Sequence, residues 1–246
     1  MVSRLGVQSW CFREFKETAK IIKALKECGV DRLEICGVHI DVGNDPGRTL
    51  REYADAGIAI SSFGVSCFAG DERAARQVFE FAALAGFPVI GADLGDGGLG
   101  LVEKLCVEYG KKVAIHNHGR KHALGSIAAL ERLFAESSPN VGLCLDTAWM
   151  LDSGEEPVAV AEKFKDRLYG LHVKDFVFGR DGKPEDVVVG SGNLDMGKLA
   201  AFLVEANFGG YLTLEYEGDA GNPVPALKKC VENIRAAFQN QRAVIP

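Results

Sequence analysis

The sequence predicts a (β/α)8 barrel in a single domain spanning residues 1–246, and three observations predict it. Strand-like and helix-like segments alternate from end to end, as eight units with a period of roughly 30 residues. The strand segments are rich in Val, Ile, Leu and Cys rather than cleanly alternating, as expected for strands covered on both faces. Eight such units in about 250 residues is the usual size of this barrel. An open doubly wound sheet is the alternative, but no Gly-x-Gly-x-x-Gly follows the first strand.

In chain order, the apolar runs place strands at 5–12, 32–37, 59–67, 88–94, 112–118, 141–147, 168–175 and 211–217. Helices fall between them at 16–28, 47–57, 71–86, 98–110, 126–137, 155–166, 194–208 and 223–238. In the first helix Ile21, Ile22, Leu25 and Cys28 recur at helical spacing, and Gly29 can supply a left-handed C-terminal cap. In the last, Asn222 can cap, Pro223 suits the first helical position, and Val224, Leu227, Val231, Ile234 and Phe238 form one face. Linkers, low-complexity tracts and tails are not apparent.

Composition narrows the function. A formal charge of −6 disfavours a nucleic-acid partner, which needs a basic stripe. The seven cysteines form no Cys-x-x-Cys pair and sit mostly inside apolar runs, which fits a reduced compartment better than a disulfide framework. The start of the chain lacks a signal-peptide layout, and no apolar run approaches the roughly 20 residues of a membrane helix. The expectation is a soluble, cytoplasmic protein that binds neither membrane nor nucleic acid.

Four strands end in ionisable groups: Val113-Ala-Ile-His116-Asn-His118, Leu143-Cys-Leu-Asp146, Leu171-His172-Val-Lys174-Asp175 and Leu212-Thr-Leu-Glu215-Tyr-Glu217. In a barrel these tips share the C-terminal face, where active sites lie. A charge at the tip of a buried strand is costly unless compensated. Singly, each tip has a bland explanation; Asp146 before Thr147 is an ordinary helix-start device. Jointly, they point to a divalent metal. Asp146, His172 and Glu215 can close on one ion from three consecutive strands, with a histidine of the fifth strand as fourth ligand. Two imidazoles and two carboxylates suit Mn, Zn, Co or Fe better than Ca.

These residues also resemble a family, the xylose-isomerase-like barrels of sugar and sugar-phosphate isomerases and epimerases, inosose dehydratase and endonuclease IV relatives. The resemblance rests on Ile115-His-Asn-His-Gly119, Cys144-Leu-Asp-Thr147, Leu171-His-Val-Lys-Asp175, Gly190-Ser-Gly-Asn-Leu-Asp195 and Gly210-Tyr-Leu-Thr-Leu-Glu215. It covers the whole chain and is strongest from about residue 112 onward. It implies a divalent ion (Mn, Zn, Co or Mg) held by Asp146, His172 and Glu215. Many members carry Glu-Asn-His-Gly on the fifth strand, with that Glu as fourth ligand and as one of two acid–base carboxylates. Here the position is His116, so the fourth ligand is His116, with His118 or water as alternatives, and one carboxylate of the two-glutamate mechanism is missing from its place. Relatives that read Asp-Thr-x-His after the sixth strand are matched here by Asp146-Thr-Ala-Trp149.

The resemblance implies an isomerase or epimerase of a small polyhydroxy carbonyl compound, working through an enediolate. A dehydratase or lyase on an inosose or keto-sugar is the alternative, and a non-catalytic sugar-binding paralogue is a third. Endonuclease chemistry is disfavoured by five histidines in all and net acidity. Candidate catalytic groups are Glu215, Glu34 at the end of the second strand, which could serve as acid or base or simply pair with a barrel Lys or Arg, His118, and Lys174, which could neutralise an enolate oxygen or simply pair with Glu215 or Glu217. Candidate substrate contacts are Trp149, which can stack on a sugar face, Trp10 as pocket wall or core, and His122, beside Arg120 and Lys121, for a carboxylate or phosphate. The backbone amides of Gly190-Ser-Gly-Asn193 could likewise hold an anion. A homo-oligomer is compatible with the family, though no residue pattern specifies one.

Overall fold

A computed structural model describes residues 4–242. Its strands are β1 (Leu5–Gln8), β2 (Arg32–Ile35), β3 (Ala59–Phe63), β4 (Ser66–Phe68), β5 (Val89–Leu94), β6 (Lys112–His116), β7 (Val141–Asp146), β8 (Leu168–Val173), β9 (Asp175–Phe178), β10 (Pro184–Val187) and β11 (Tyr211–Leu214). The helices are α1 (Thr18–Glu27), α2 (Pro46–Asp55), α3 (Glu72–Ala85), α4 (Gly98–Tyr109), α5 (Ile127–Glu136), α6 (Thr147–Asp152), α7 (Pro157–Lys163), α8 (Met196–Glu205) and α9 (Val224–Arg242).

Nine strands form one parallel sheet in the order β3-β2-β1-β11-β8-β7-β6-β5-β4. The two ends of that order, β3 and β4, are consecutive pieces of one chain segment, so the sheet curls into a nearly closed (β/α)8 barrel. They are the single third strand read from the sequence, interrupted at Gly64–Val65, whose peptide is cis. A Cβ on Gly64 would lie 2.9 Å from both Cα and O of Gly91 on β5, so only glycine lets the wall fold this tightly.

The helices form where the apolar stripes predict, except that α6 (Thr147–Asp152) is additional to the eight expected. Gly29 follows α1 and Gly86 follows α3, each with positive φ (+69° and +80°), and Asp71 and Ser126 cap the starts of α3 and α5 through Ala74 N and Ala129 N. On the strands, Ile115, Leu145, Leu171 and Leu214 belong to the main core against the helices. Side chains alternate along a strand, so His116, Asp146, His172 and Glu215 face the other way, into the barrel. Below them a small separate cluster of Val89, Ala114, Cys144 and Tyr211 plugs the interior. Among the described residues, no helix is long and apolar enough to cross a membrane.

Other features depart from the pattern read in the sequence: the first strand ends at Gln8, and Ser9–Phe12 form a short 3-10 helix. The seventh strand stops at Val173, and the chain continues into an antiparallel hairpin of β9 and β10. The Gly190–Asn193 loop does not present free amides. Gly190 N and Gly192 N both donate to Asp175 Oδ2 at 2.9 Å, and Leu194 N donates to Asp175 Oδ1 at 2.9 Å. An internal carboxylate fills the nest that was expected to await an external anion. Asp175→Ala removes a buried carboxylate and strands three donors, of which only Leu194 N belongs to a buried residue, and should lower stability by roughly 2–4 kcal/mol in urea unfolding, with Asp175→Asn intermediate.

Candidate metal centre

Strand register brings the tips to one level. Asp146 is paired with His172 across β7 and β8, and His172 with Thr213 across β8 and β11, two residues before Glu215. One potential ligand atom from each of His116, Asp146, His172 and Glu215 lies within 4.8 Å of all the others, and all four residues are buried. His116 Nε2 is 3.4 Å from Asp146 Oδ2, and His172 Nδ1 is 3.1 Å from Glu215 Oε2.

The environment holds these groups in place. Asp146 uses its two oxygens differently: Oδ1 accepts from Trp149 N and caps α6, while buried Oδ2 has no hydrogen-bond partner. The helix-start reading and the ligand reading are thus both satisfied by one carboxylate. Asn117, between the two histidines of the fifth-strand motif, clamps the backbone of Asp146 at both ends, accepting from Asp146 N (2.8 Å) and donating to Asp146 O (3.1 Å). Thr147 Oγ1 ties the neighbouring strand ends together, donating to Lys174 O at 2.6 Å and accepting from Lys174 N at 3.0 Å. Glu34 is fully buried behind His172, its Oε2 2.8 Å from His172 Nε2.

The fit to a cation can be judged from the groups themselves. Burial holds the His116 imidazole below its ordinary value despite Asp146, which favours the neutral ring that a metal needs. Its Nδ1 is buried and unpartnered, as are Asp146 Oδ2 and Glu34 Oε1. His172 is different: burial works against its charged form, but Cys144, Glu34 and Glu215 outweigh it and hold the ring well above its ordinary value. Glu215 is held low because Lys174 and His172 overcome the effect of burial. The cluster is an anionic, partly unpartnered donor set that a divalent ion would complete.

Around it, Lys174 is buried and carries its charge against Glu217 and Asp186 (3.7 Å), with the Trp149 ring 5.7 Å away. Burial disfavours that charge, but Glu215, Asp146, Glu217 and Asp186 more than restore it, holding Lys174 above its ordinary value. Trp10 Nε1 donates to Glu217 Oε2 at 2.8 Å. A cavity of about 450 Å³ opens beside the cluster, lined by Gln8, Trp10, Cys36, His116, His118, Trp149, Glu215 and Glu217. A second, of about 420 Å³, shares His118 and Trp149 and adds Arg120, Lys121, His122, Asp152 and Lys183.

Of the residues singled out in the sequence, His116, Asp146, His172 and Glu215 are therefore brought together, and His118, Trp10 and Trp149 line the adjoining cavity. His122 lines only the second cavity. Glu34 lines neither, and Lys174 is committed to an internal ion-pair network. Sequence reasoning missed Asn117, Asp186 and Asp93. Asp93 ends β5 with its Oδ2 3.6 Å from His118 Nε2 and 3.4 Å from His122 Nε2. Burial raises its carboxyl, but His118, the Leu94 amide and His122 prevail and keep it below the usual value.

A nearly closed (β/α)8 barrel carries a His/Asp/His/Glu cluster at the C-terminal ends of its strands, and the comparisons give the class of the barrel. The sequence model of the xylose isomerase-like TIM barrel matches residues 98–237, more than half of the chain, and the protein belongs to that family. The inosose dehydratase of Clostridium botulinum (strain Alaska E43 / Type E3) is 27% identical over 143 residues, covering 50% of this chain and 46% of that enzyme. The chain thus matches about half the length of such curated relatives. A D-tagatose 3-epimerase-like protein superposes with a TM-score of 0.79 at 16% identity, covering 99% of this chain and 100% of that one. A probable 3-DHS dehydratase from Bacillus anthracis gives 0.74 at 14% identity, covering 94% and 98%.

Burial pushes the Asp186 carboxyl up to about 7, more than Lys174 and the Glu217 amide draw it down. Its folded value lies above the unfolded one, so its contribution to stability is complete below about pH 4 and is lost as the pH rises through about 7. Asp186→Asn keeps a neutral group at every pH. Urea unfolding should find the variant level with wild type near pH 4 and more stable by roughly 2–4 kcal/mol near pH 8.

Proposed function

We propose that the protein is a divalent-metal-dependent enzyme that removes a proton α to the carbonyl of a small keto-polyol and expels a β-hydroxyl, a dehydratase of inosose-like substrates. The observation that carries this reading is the convergence of two imidazoles and two carboxylates, with Asp146 Oδ2 and His116 Nδ1 buried and unpartnered, beside an open cavity. His116, Asp146, His172 and Glu215 would hold the ion. When bound, the ion supplies Lewis acidity, polarising the substrate carbonyl and acidifying the neighbouring C–H.

The remaining chemistry belongs to the side chains. Glu215 is the one carboxylate of the ligand set that lines the cavity, and it takes the α proton. Glu217 also reaches the cavity but is engaged by Lys174 and Trp10. His118 supplies the second proton-handling group, donating to the leaving hydroxyl. Trp10 and Trp149 form walls that receive the apolar face of the substrate and exclude water. Glu34 acts behind the site: its bond to His172 Nε2 fixes the ring so that Nδ1 faces the cluster.

A second reading, isomerisation or epimerisation of a ketose, draws support from the epimerase-like fold neighbour. Epimerisation must remove a proton from one face and return it to the other, which the two-glutamate arrangement suits and a single cavity-facing ligand carboxylate does not. The dehydratase names among the curated relatives favour elimination.

Proton NMR of inososes, 3-keto-sugars and ketoses in D2O, with Mn, Co, Zn or Mg, tests the reading. A metal-dependent product one water lighter supports dehydration; an isomeric product with deuterium at the α carbon supports the second reading. Turnover that survives both Asp146→Ala and Glu215→Ala would refute the assigned site. For Glu34→Gln, competition against a chromophoric chelator should show metal affinity weakened by roughly 10- to 100-fold. An unchanged affinity would remove Glu34 from its supporting place.

A further inference from the structure

Asp93, His118 and His122 form a second constellation, of which the proposed reaction uses only His118. They sit at the end of β5 and in the segment that follows β6, and all three are partly exposed. One nitrogen from each ring and one carboxylate oxygen lie within 4.8 Å of one another, and the imidazole centroids are 4.4 Å apart.

The spacing identifies what the cluster is built for. Asp93 Oδ2 is 3.6 Å from His118 Nε2 and 3.4 Å from His122 Nε2. Good N–H···O hydrogen bonds run from about 2.7 to 3.2 Å, so both contacts are too long for strong ones. They do match the edge of a tetrahedron around an ion: with metal–ligand bonds of about 2.1 Å, neighbouring donors are about 3.4 Å apart. Asp93 Oδ1 is occupied by the backbone N–H of Leu94 at 2.8 Å, which leaves Oδ2 turned to the two rings. Two cationic neighbours are matched elsewhere: Arg120 pairs with Asp152 at 3.3 Å and Lys183 with Asp181 at 2.8 Å.

We propose that Asp93, His118 and His122 form a second divalent-cation site, outside the buried centre. Two imidazoles and one carboxylate suit Zn or Co rather than Mg or Ca, which prefer all-oxygen shells. Three protein ligands leave a position for water or an oxygen donor from a ligand, the arrangement of an open rather than a structural zinc site. Binding requires one local change. His122 Nδ1 now accepts from Leu124 N at 3.2 Å, and coordination through Nε2 moves the ring proton to Nδ1 and breaks that bond. The loss is one long hydrogen bond on a partly exposed loop, small beside the metal–ligand bonds gained. Because the ion would use the His118 ring, it excludes that ring from proton donation while bound. The site itself stands independently of the reaction proposed above.

The test is to strip the intact protein with chelator, dialyse it against Zn2+, and count ions per chain by elemental analysis, with Co2+ absorption as a second readout. Wild type should bind two ions. Asp93→Asn and His122→Ala should each bind one, Asp146→Asn should also bind one, and Asp93→Asn combined with Asp146→Asn none. A single ion in wild type, unchanged by Asp93→Asn and by His122→Ala, overturns the second site and leaves the buried one standing. An ion lost with Asp93→Asn but insensitive to Asp146→Asn supports the second site and removes the buried one. Two ions retained in both outer-site variants also overturn the proposal. Near-UV circular dichroism confirms folding, and His122→Ala decides the matter if Asp93→Asn does not fold.

Discussion

The organising constraint is the burial of four ionisable side chains at the end of a barrel. Removing such groups from water costs several kcal/mol each unless charge is matched and hydrogen bonds are completed. The surrounding structure does the second and only part of the first. Asn117 fixes the Asp146 backbone, α6 takes one Asp146 oxygen, and Glu34 and Glu215 bracket the His172 ring. What is left over is the unpartnered Asp146 Oδ2, His116 Nδ1 and Glu34 Oε1. A site this thoroughly braced yet locally unsatisfied is what a cation-binding centre requires of its protein, since rigid donors are held apart until the ion joins them.

Lys174 shows the same logic one layer out. Its ammonium is almost wholly buried, yet it stays charged because Glu217, Asp186, Glu215 and Asp146 surround it. In return it holds Glu215 ionised. The β9–β10 hairpin supplies Asp186 to this network, and Trp10 closes it through Glu217. The hairpin is therefore part of the site's electrostatics as well as its rim.

Much of this was legible in the sequence, and the reasons are physical. Period and composition revealed the strand–helix alternation, and Asp146, His172, Glu215 and a histidine of the fifth strand stood out because a polar residue closing an apolar strand is expensive in any fold. The preference for His116 over His118 came from the family resemblance. What stayed hidden depends on partners distant in the chain. Asp175 could not be matched with the amides of Gly190 and Gly192, so that loop read as an empty nest. Glu34 could be read as an acid, a base or an ion-pair partner until its distance to His172, 138 residues away, was known. Asp93 lay in a Gly/Asp-rich stretch, Asp93-Leu-Gly-Asp-Gly-Gly98, where an Asp reads as turn chemistry. The split of the third strand at Gly64 follows from the approach of Gly91, which no local pattern records.

Anomalous diffraction from a crystal grown with Mn2+ or Zn2+, measured on both sides of the absorption edge, addresses the central claim most directly. The account predicts a strong anomalous peak enclosed by His116, Asp146, His172 and Glu215, within bonding distance of a donor atom from each. A crystal with no anomalous density there, grown at metal concentrations that saturate the protein in solution, would contradict it.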